Sequence, residues 1–325
     1  MFDTHFDLLT IAYRSYLTGD YSYIEKISKY FNDNNVRGVF ANLYFMSKEE
    51  MENEICSNYY SDDVSVLDMF VKAKEVLDSF LPNTEIIYSI EGADYIKDSD
   101  ELEKLYEAGL DSLILCWNTE SKYASGNRSD KGLTDLGKKL ISKAIDLGIG
   151  IDLSHANKNT FYDLCDLIEE KQKEGIKVYS FASHSNARSL CERTRNLDDR
   201  QLERIKEIGG LVGVFSNRNF VVNDPKDYDI ADKRKEYIDH IEHVKNIVGE
   251  DNVILSTDDM EFCGWYDSEY YETSIYDYST IACELFNDLV NRFGEDISAN
   301  MMYNNVKNKI WCNIKNRRNY ERSKS

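Results

Sequence analysis

Eight short runs of β-branched and apolar residues, each followed by a longer stretch, constrain this chain more than any other feature. The runs lie at residues 2–5, 36–43, 86–90, 112–116, 150–153, 178–182, 210–215 and 252–256. Helical spacing of apolar residues appears at 64–80, 100–108, 134–147, 158–173, 198–208 and 233–248, with two more segments, 275–293 and 297–314, after the last run. Strands separated by helices pair in parallel, because the helix carries the chain back to the starting edge. Eight such units in 325 residues fit a closed (βα)8 barrel, the TIM barrel, better than an open doubly wound sheet, for which no Gly-rich dinucleotide turn is present. Two prolines and no obvious linker leave one domain over 1–325 as the expectation, with 315–325 a frayed, solvated basic tail.

Charge narrows the function. A net charge of −20 repels phosphate backbones and anionic lipid surfaces, so neither nucleic acid nor membrane is expected as a partner. The N-terminus lacks a basic region followed by an apolar one, and the longest apolar stretches are strand-length, so neither signal peptide nor membrane span is expected. Seven scattered cysteines without a C-x-x-C pair read as reduced thiols, and a cytoplasmic location follows.

The chain has five histidines, and His5, His155 and His184 fall at the C-terminal ends of the first, fifth and sixth runs. In a closed parallel barrel those ends converge on one face, where barrel enzymes place their active sites. Asp7 follows in H-F-D, and Glu91 ends the third run in S-I-E-G. Imidazole and carboxylate suit zinc and similar divalent ions, and a two-oxygen carboxylate can bridge two of them. His5 and Asp7 would serve one ion, His155 and His184 the other, with Glu91 between. Any one of these histidines alone reads equally well as a satisfied buried imidazole; Asp7 alone reads as a helix or loop cap. Asp258, in S-T-D-D after the eighth run, is placed to move a proton between an attacking water and a leaving amine, against the alternative of a capping carboxylate. His240 and His243, three residues apart in D-H-I-E-H, read as braces of a helix rather than ligands.

These residues carry a longer pattern. Asp3-Thr4-His5-Phe6-Asp7-Leu8, Ile90-Glu91-Gly92, Gly132-Leu133-Thr134-Asp135-Leu136-Gly137, Asp152-Leu153-Ser154-His155, Ser183-His184-Ser185 and Arg195-Asn196 recur in order along essentially the whole chain. In this it resembles the membrane dipeptidase (renal dipeptidase) family, peptidase family M19. The resemblance implies a metal-dependent hydrolase barrel holding two divalent ions, most often Zn2+. It implies a dipeptide substrate with a free C-terminal carboxylate, attacked by a hydroxide that bridges the ions. His5, Asp7 and Glu91 would hold one ion and Glu91, His155 and His184 the other, with Asp258 as proton shuttle and Arg195 on the substrate carboxylate. A homodimer is common in such a family.

The chain also departs from the family's mammalian type. Leu115-Cys116-Trp117-Asn118 replaces a segment with a substrate-binding histidine, Phe220 stands where a tyrosine is found, and Asp259-Met260-Glu261 replaces F-D-G ahead of a loop with Trp265, Tyr266, Tyr270 and Tyr271. Trp117, Asn118 and Phe220 are therefore expected to line the substrate pocket while changing its contacts. Competing readings are a related binuclear barrel hydrolase acting on another amide or a lactone, and a catalytically silent binding homologue. The H-x-D opening, where amidohydrolases have H-x-H, speaks against the first, and the complete ligand set against the second.

Overall fold

The computed structural model describes residues 1–44, 65–224, 230–258, 275–276 and 280–322. Asp259, Met260, Cys56, Cys263 and the aromatic residues 265, 266, 270 and 271 lie outside them. Eight strands pair in parallel in sequence order: β1 (Phe2–Phe6), β2 (Gly38–Tyr44), β3 (Glu85–Glu91), β4 (Ser112–Ile114), β5 (Gly150–Asp152), β6 (Ser180–Ala182), β7 (Leu211–Phe215) and β8 (Val253–Ser256). Each expected run overlaps one of them. The ladders among the described residues run from β1 to β8, and side-chain and backbone hydrogen bonds tie the last strand to the first. Thr257 donates to Asp3 from its backbone N–H at 2.9 Å and from its hydroxyl at 2.6 Å. Thr4 Oγ1 donates to the carbonyls of Ser183 (2.7 Å) and Leu255 (3.0 Å), and Asp258 N–H to that of His5 (3.3 Å).

Helices α1 (Leu8–Thr18) and α2 (Ser22–Asp33) lead from β1 toward β2, and α3 (Val66–Phe80) precedes β3. Then come α4 (Ser99–Ala108), α5 (Asp135–Leu147), α6 (Lys158–Lys173), α7 (Asp199–Glu207), the short α8 (Arg218–Val221) and α9 (Ile230–Val248). After β8 follow α10 (Ile281–Phe293), α11 (Glu295–Ala299), π-helical turns at Asn300–Asn304 and Lys307–Trp311, and α12 (Cys312–Arg322). The starts are chemically marked: Asp98, Thr134, Asn157 and Asp198 each accept a backbone N–H in the first turn, and Asp198 with Gln201 forms a reciprocal capping box. Neither α1 nor α2 was expected. The signal in α2 is legible, since Ile24, Ile27, Tyr30 and Phe31 are buried at three-to-four spacing, whereas α1 buries so many consecutive residues from Leu8 to Tyr13 that no polar face interrupts the run.

At the N-terminal end of the barrel Phe2, Phe40, Ile87, Phe181 and Ile254 form a packed interior, and Val306, Ile310 and Ile314 close it from below. Each such side chain contributes on the order of 1.5–3 kcal/mol on full burial. The basic tail corrects the expectation of a frayed end from residue 315. It is helical through Arg322, and Arg318 is buried with its Nε 2.8 Å from Asp111 Oδ1. Lys315 Nζ lies 2.6 Å from the other oxygen. Two charges of the run that read as solvated, Lys315 and Arg318, thus share one wholly buried carboxylate just ahead of β4.

His240 and His243 serve as braces. His240 accepts the Ala187 N–H at Nδ1 (3.1 Å) and donates from Nε2 to the Val221 carbonyl (2.9 Å), while His243 Nε2 meets Asp199 at 2.8 Å. Burial holds the His240 pKa down at about 4. The unfolded chain takes up that proton below about pH 6.5 and the folded one does not. Stability is therefore full above about pH 6.5 and declines as the pH falls toward 4, by roughly 2–3 kcal/mol from this group alone. Urea denaturation of wild type and His240→Gln at pH 7.5 and 4.5 tests this: the variant should lose less stability across the interval, and equal losses would remove His240 from the acid response.

Candidate metal centre

The C-terminal strand ends bring all five expected ligands into one buried cluster. Glu91, at the end of β3 and 2% exposed, lies between the others. Its Oε2 is 3.0 Å from His5 Nε2, and its Oε1 is 2.9 Å from His155 Nε2 and 3.9 Å from His184 Nε2. One carboxylate oxygen thus faces His5, and the other faces the pair from beyond β5 and β6. Asp7 occupies the N-cap position of α1 but makes no side-chain cap bond; its Oδ1 lies 3.9 Å from His5 Nε2, buried and without a hydrogen-bond partner. Asp258 Oδ1 is also 3.9 Å from His5 Nε2.

The Nδ1 atom of each ring is held on its far side. Asn118 Oδ1 lies 3.0 Å from His155 Nδ1 and accepts Asn127 Nδ2 at 2.7 Å. Ser183 Oγ lies 2.8 Å from His184 Nδ1 and 3.4 Å from His5 Nδ1, and the Asn42 side-chain amide stands 3.0 Å from the latter. Such outer partners fix ring orientation and turn Nε2 toward the centre. Space for this crowding comes from Gly213 in β7, where an added Cβ would sit 1.8 Å from the Ser183 carbonyl oxygen. The G-L-T-x-x-G segment is a helix entry, Thr134 capping α5 by accepting the Gly137 N–H at 3.0 Å.

Two site residues have left-handed backbones, His155 (φ 65°) and Asp258 (φ 49°). L-residues adopt this region at a cost, and the cluster holds both there.

The electrostatics call for positive charge. Burial opposes protonation of His5, but Glu91, Asp258 and Asp7 outweigh it and raise its pKa to about 10. Burial, with repulsion from Glu91, drives Asp7 well above the ordinary carboxylate range, and burial lifts Asp258 to about 6. Burial keeps His155 at about 3 and His184 well below its usual value, so both present neutral nitrogens. Two buried carboxylates, the half-buried Asp258, two neutral imidazoles and an orphaned carboxylate oxygen form a donor set that fits divalent ions. His5, Glu91 and His184 already offer ligand atoms within 4.8 Å of one another.

A cavity of about 320 Å³ opens above the cluster. Arg195, Trp117, Asn118 and Phe220 all line it, although the Asn118 oxygen is committed to His155. Arg195 is buried, donates to Ser185 Oγ at 3.3 Å and leaves Nη2 without a partner. Sequence reasoning missed Asn42 and Ser183 as ring orienters and Tyr44, Arg128 and Arg193 as lining residues. Asn42 left a trace, as a polar residue inside the apolar run of β2, and Ser183 lies in the Ser183-His184-Ser185 motif without its role being marked; the lining residues left none.

A sequence model of the family described as membrane dipeptidase (peptidase family M19) matches residues 46–323. The chain belongs to this family. Within this M19 chain, His5 and Asp7 precede the matched stretch, and the barrel geometry brings them to Glu91. An uncharacterized protein encoded in the pqqA 5′ region of Klebsiella pneumoniae is 34% identical over 183 residues, 53% of this chain and 64% of that relative. The chain spans between 44% and 64% of the length of the curated relatives it matches. Among solved structures, a metallo peptidase from Rhodobacter sphaeroides liganded with a phosphinate mimic of the dipeptide L-Ala-D-Ala superposes with a TM-score of 0.70 at 20% identity, covering 95% of this chain and 99% of that one. A dipeptidase of family M19 superposes at 0.71, also 20% identical, with 95% and 98% coverage. At that identity the likeness concerns the fold, and the barrel is shared throughout.

Proposed function

We propose that the chain is a metal-dependent dipeptidase, hydrolysing dipeptides with a free C-terminal carboxylate at a site for two divalent ions, zinc by preference. The observation that carries this reading is the two-sided placement of Glu91, one oxygen facing His5 with Asp7 beyond it, the other facing His155 and His184. Membership of family M19 supports it. Bound ions would lower the pKa of a water toward neutrality and polarise the peptide carbonyl.

The chain's own residues do the rest. Asp258, with a pKa lifted to about 6, accepts the proton released by the attacking water and delivers it to the departing amine. Arg195 presents its unpartnered Nη2 to the substrate carboxylate, a planar cation suited to two parallel bonds. Trp117 and Phe220 wall the cavity and limit water around the scissile bond.

The test is elemental analysis of the purified protein together with hydrolysis of a panel of L,L and L,D dipeptides before and after chelation. Two equivalents of metal and chelator-sensitive cleavage are expected. Metal without cleavage of any dipeptide would point to another amide or a lactone, and absence of metal would undo the site. In the same assay Asp258→Asn should keep its metal while losing roughly 10²- to 10⁴-fold in turnover; full activity would exclude Asp258 as the shuttle.

A further inference from the structure

Once the carboxylates of the cluster are set aside, the remaining charged residues among the described lining of the cavity are of one sign. Asp7, Glu91 and Asp258 face the metal centre; the other charged residues among the described lining are Arg128, Arg193 and Arg195. This contrasts with a chain whose net charge is −20. Arg195 is the buried one, placed for the substrate's C-terminal carboxylate, and a neutral dipeptide brings no second anion for the two at the rim.

Both rim arginines are held in position. Arg193 donates from Nε to the Asn219 carbonyl at 3.2 Å and from Nη2 to that of Asn223 at 2.9 Å, partners that fix its plane without neutralising its charge. Arg128 stands with its guanidinium 5.6 Å from the Trp117 ring centre, and Trp117 in turn packs 6.1 Å from His155. A guanidinium braced by carbonyls or over an aromatic face keeps its hydrogen-bonding fork oriented and loses less freedom when it meets a carboxylate.

We infer that the preferred substrates carry a second carboxylate, on an aspartyl or glutamyl side chain, recognised at the cavity rim by Arg128 and Arg193. This rests on the dipeptidase reading and adds the substrate class to it. The second charge enlarges the electrostatic attraction of an anionic substrate into a site whose surroundings would otherwise repel it.

The probe is two isosteric pairs, Ala-Glu against Ala-Gln and Glu-Ala against Gln-Ala, each assayed with the zinc-loaded enzyme. The acid member of at least one pair should have kcat/KM roughly 10- to 100-fold above its amide, the range expected of charged hydrogen bonds. Which pair responds assigns the rim to the C-terminal or the N-terminal side chain. The advantage should shrink in high salt, since exposed charges are screened, and should fall at least tenfold in the R128Q/R193Q double variant. Ratios near one in both pairs, with cleavage intact, would overturn this inference and leave the dipeptidase reading standing. An advantage unchanged in the double variant would overturn it as well. Cleavage of none of the four peptides would overturn both.

Discussion

Glu91→Gln should strip the protein of at least one metal equivalent and lower kcat/KM by about a thousandfold or more, equivalent to about 4 kcal/mol of transition-state stabilisation. Among the described residues, Glu91 is the carboxylate that reaches both halves of the cluster, at 3.0 Å to His5 and 2.9 Å to His155. Glutamine keeps the shape but replaces one anionic oxygen by an amide nitrogen that presents hydrogens to an imidazole. Whichever way it turns, one half of the centre loses its shared ligand. The loss of charge matters equally, because the carboxylate keeps its pKa well below the usual range despite complete burial, through His5 and His155. Elemental analysis and dipeptide hydrolysis read the outcome; a variant with full metal and more than a tenth of wild-type activity would end the bridging role.

Asp111→Ala should destabilise the fold by roughly 3–5 kcal/mol, the cost of leaving a buried cation without its partner. Asp111 is wholly buried, bonded to Arg318 at 2.8 Å and Lys315 at 2.6 Å, and accepts the Tyr88 N–H at 3.1 Å. Arg318 also donates to the carbonyls of Tyr106 and Leu110, so the guanidinium stays anchored when the carboxylate is gone. Thermal and urea denaturation measure the effect. Metal content at low temperature should be preserved, because this clasp lies at the end of the barrel opposite the ligands. Breaking the exposed Lys158–Asp198 pair with Lys158→Ala should cost far less. Equal losses in the two variants would mean that the tail is no part of the stabilising core.

Much of this was legible in sequence, for a physical reason. Strand runs declare themselves locally, and in a parallel barrel their C-terminal ends must meet, so His5, Glu91, His155 and His184 could be gathered before any coordinates. What local pattern does not encode is contact between distant segments. The Asp111–Arg318 clasp joins residues 207 apart, and charge density alone made Arg318 look solvated. Asn118 and Ser183 act through isolated hydrogen bonds to imidazole nitrogens, which leave no periodicity. The left-handed backbones of His155 and Asp258 fall on residue types that tolerate that region better than most, but nothing in the local sequence marks these two positions for it. Asp7 shows the opposite case: its position is that of a helix cap, and only its unbonded oxygen separates a ligand from a cap.

The side-chain seam between the last strand and the first has a bearing on assembly. Asp3 and Thr257 are 254 residues apart, among the most distant partners in the molecule. Contacts of such separation carry a high loop-closure cost and form late. A chain whose sheet has grown from β2 to β7 already owns Glu91, His155 and His184 but lacks His5, Asp7 and Asp258, which arrive only when β1 and β8 meet. Joining β1 to β8 would then complete the proposed ligand set and bring in the proposed shuttle in one event. On the proposed ligand set, a divalent ion would favour the joined barrel over the unzipped one by the difference between a full and a half coordination shell, and would then act as the latch of the fold.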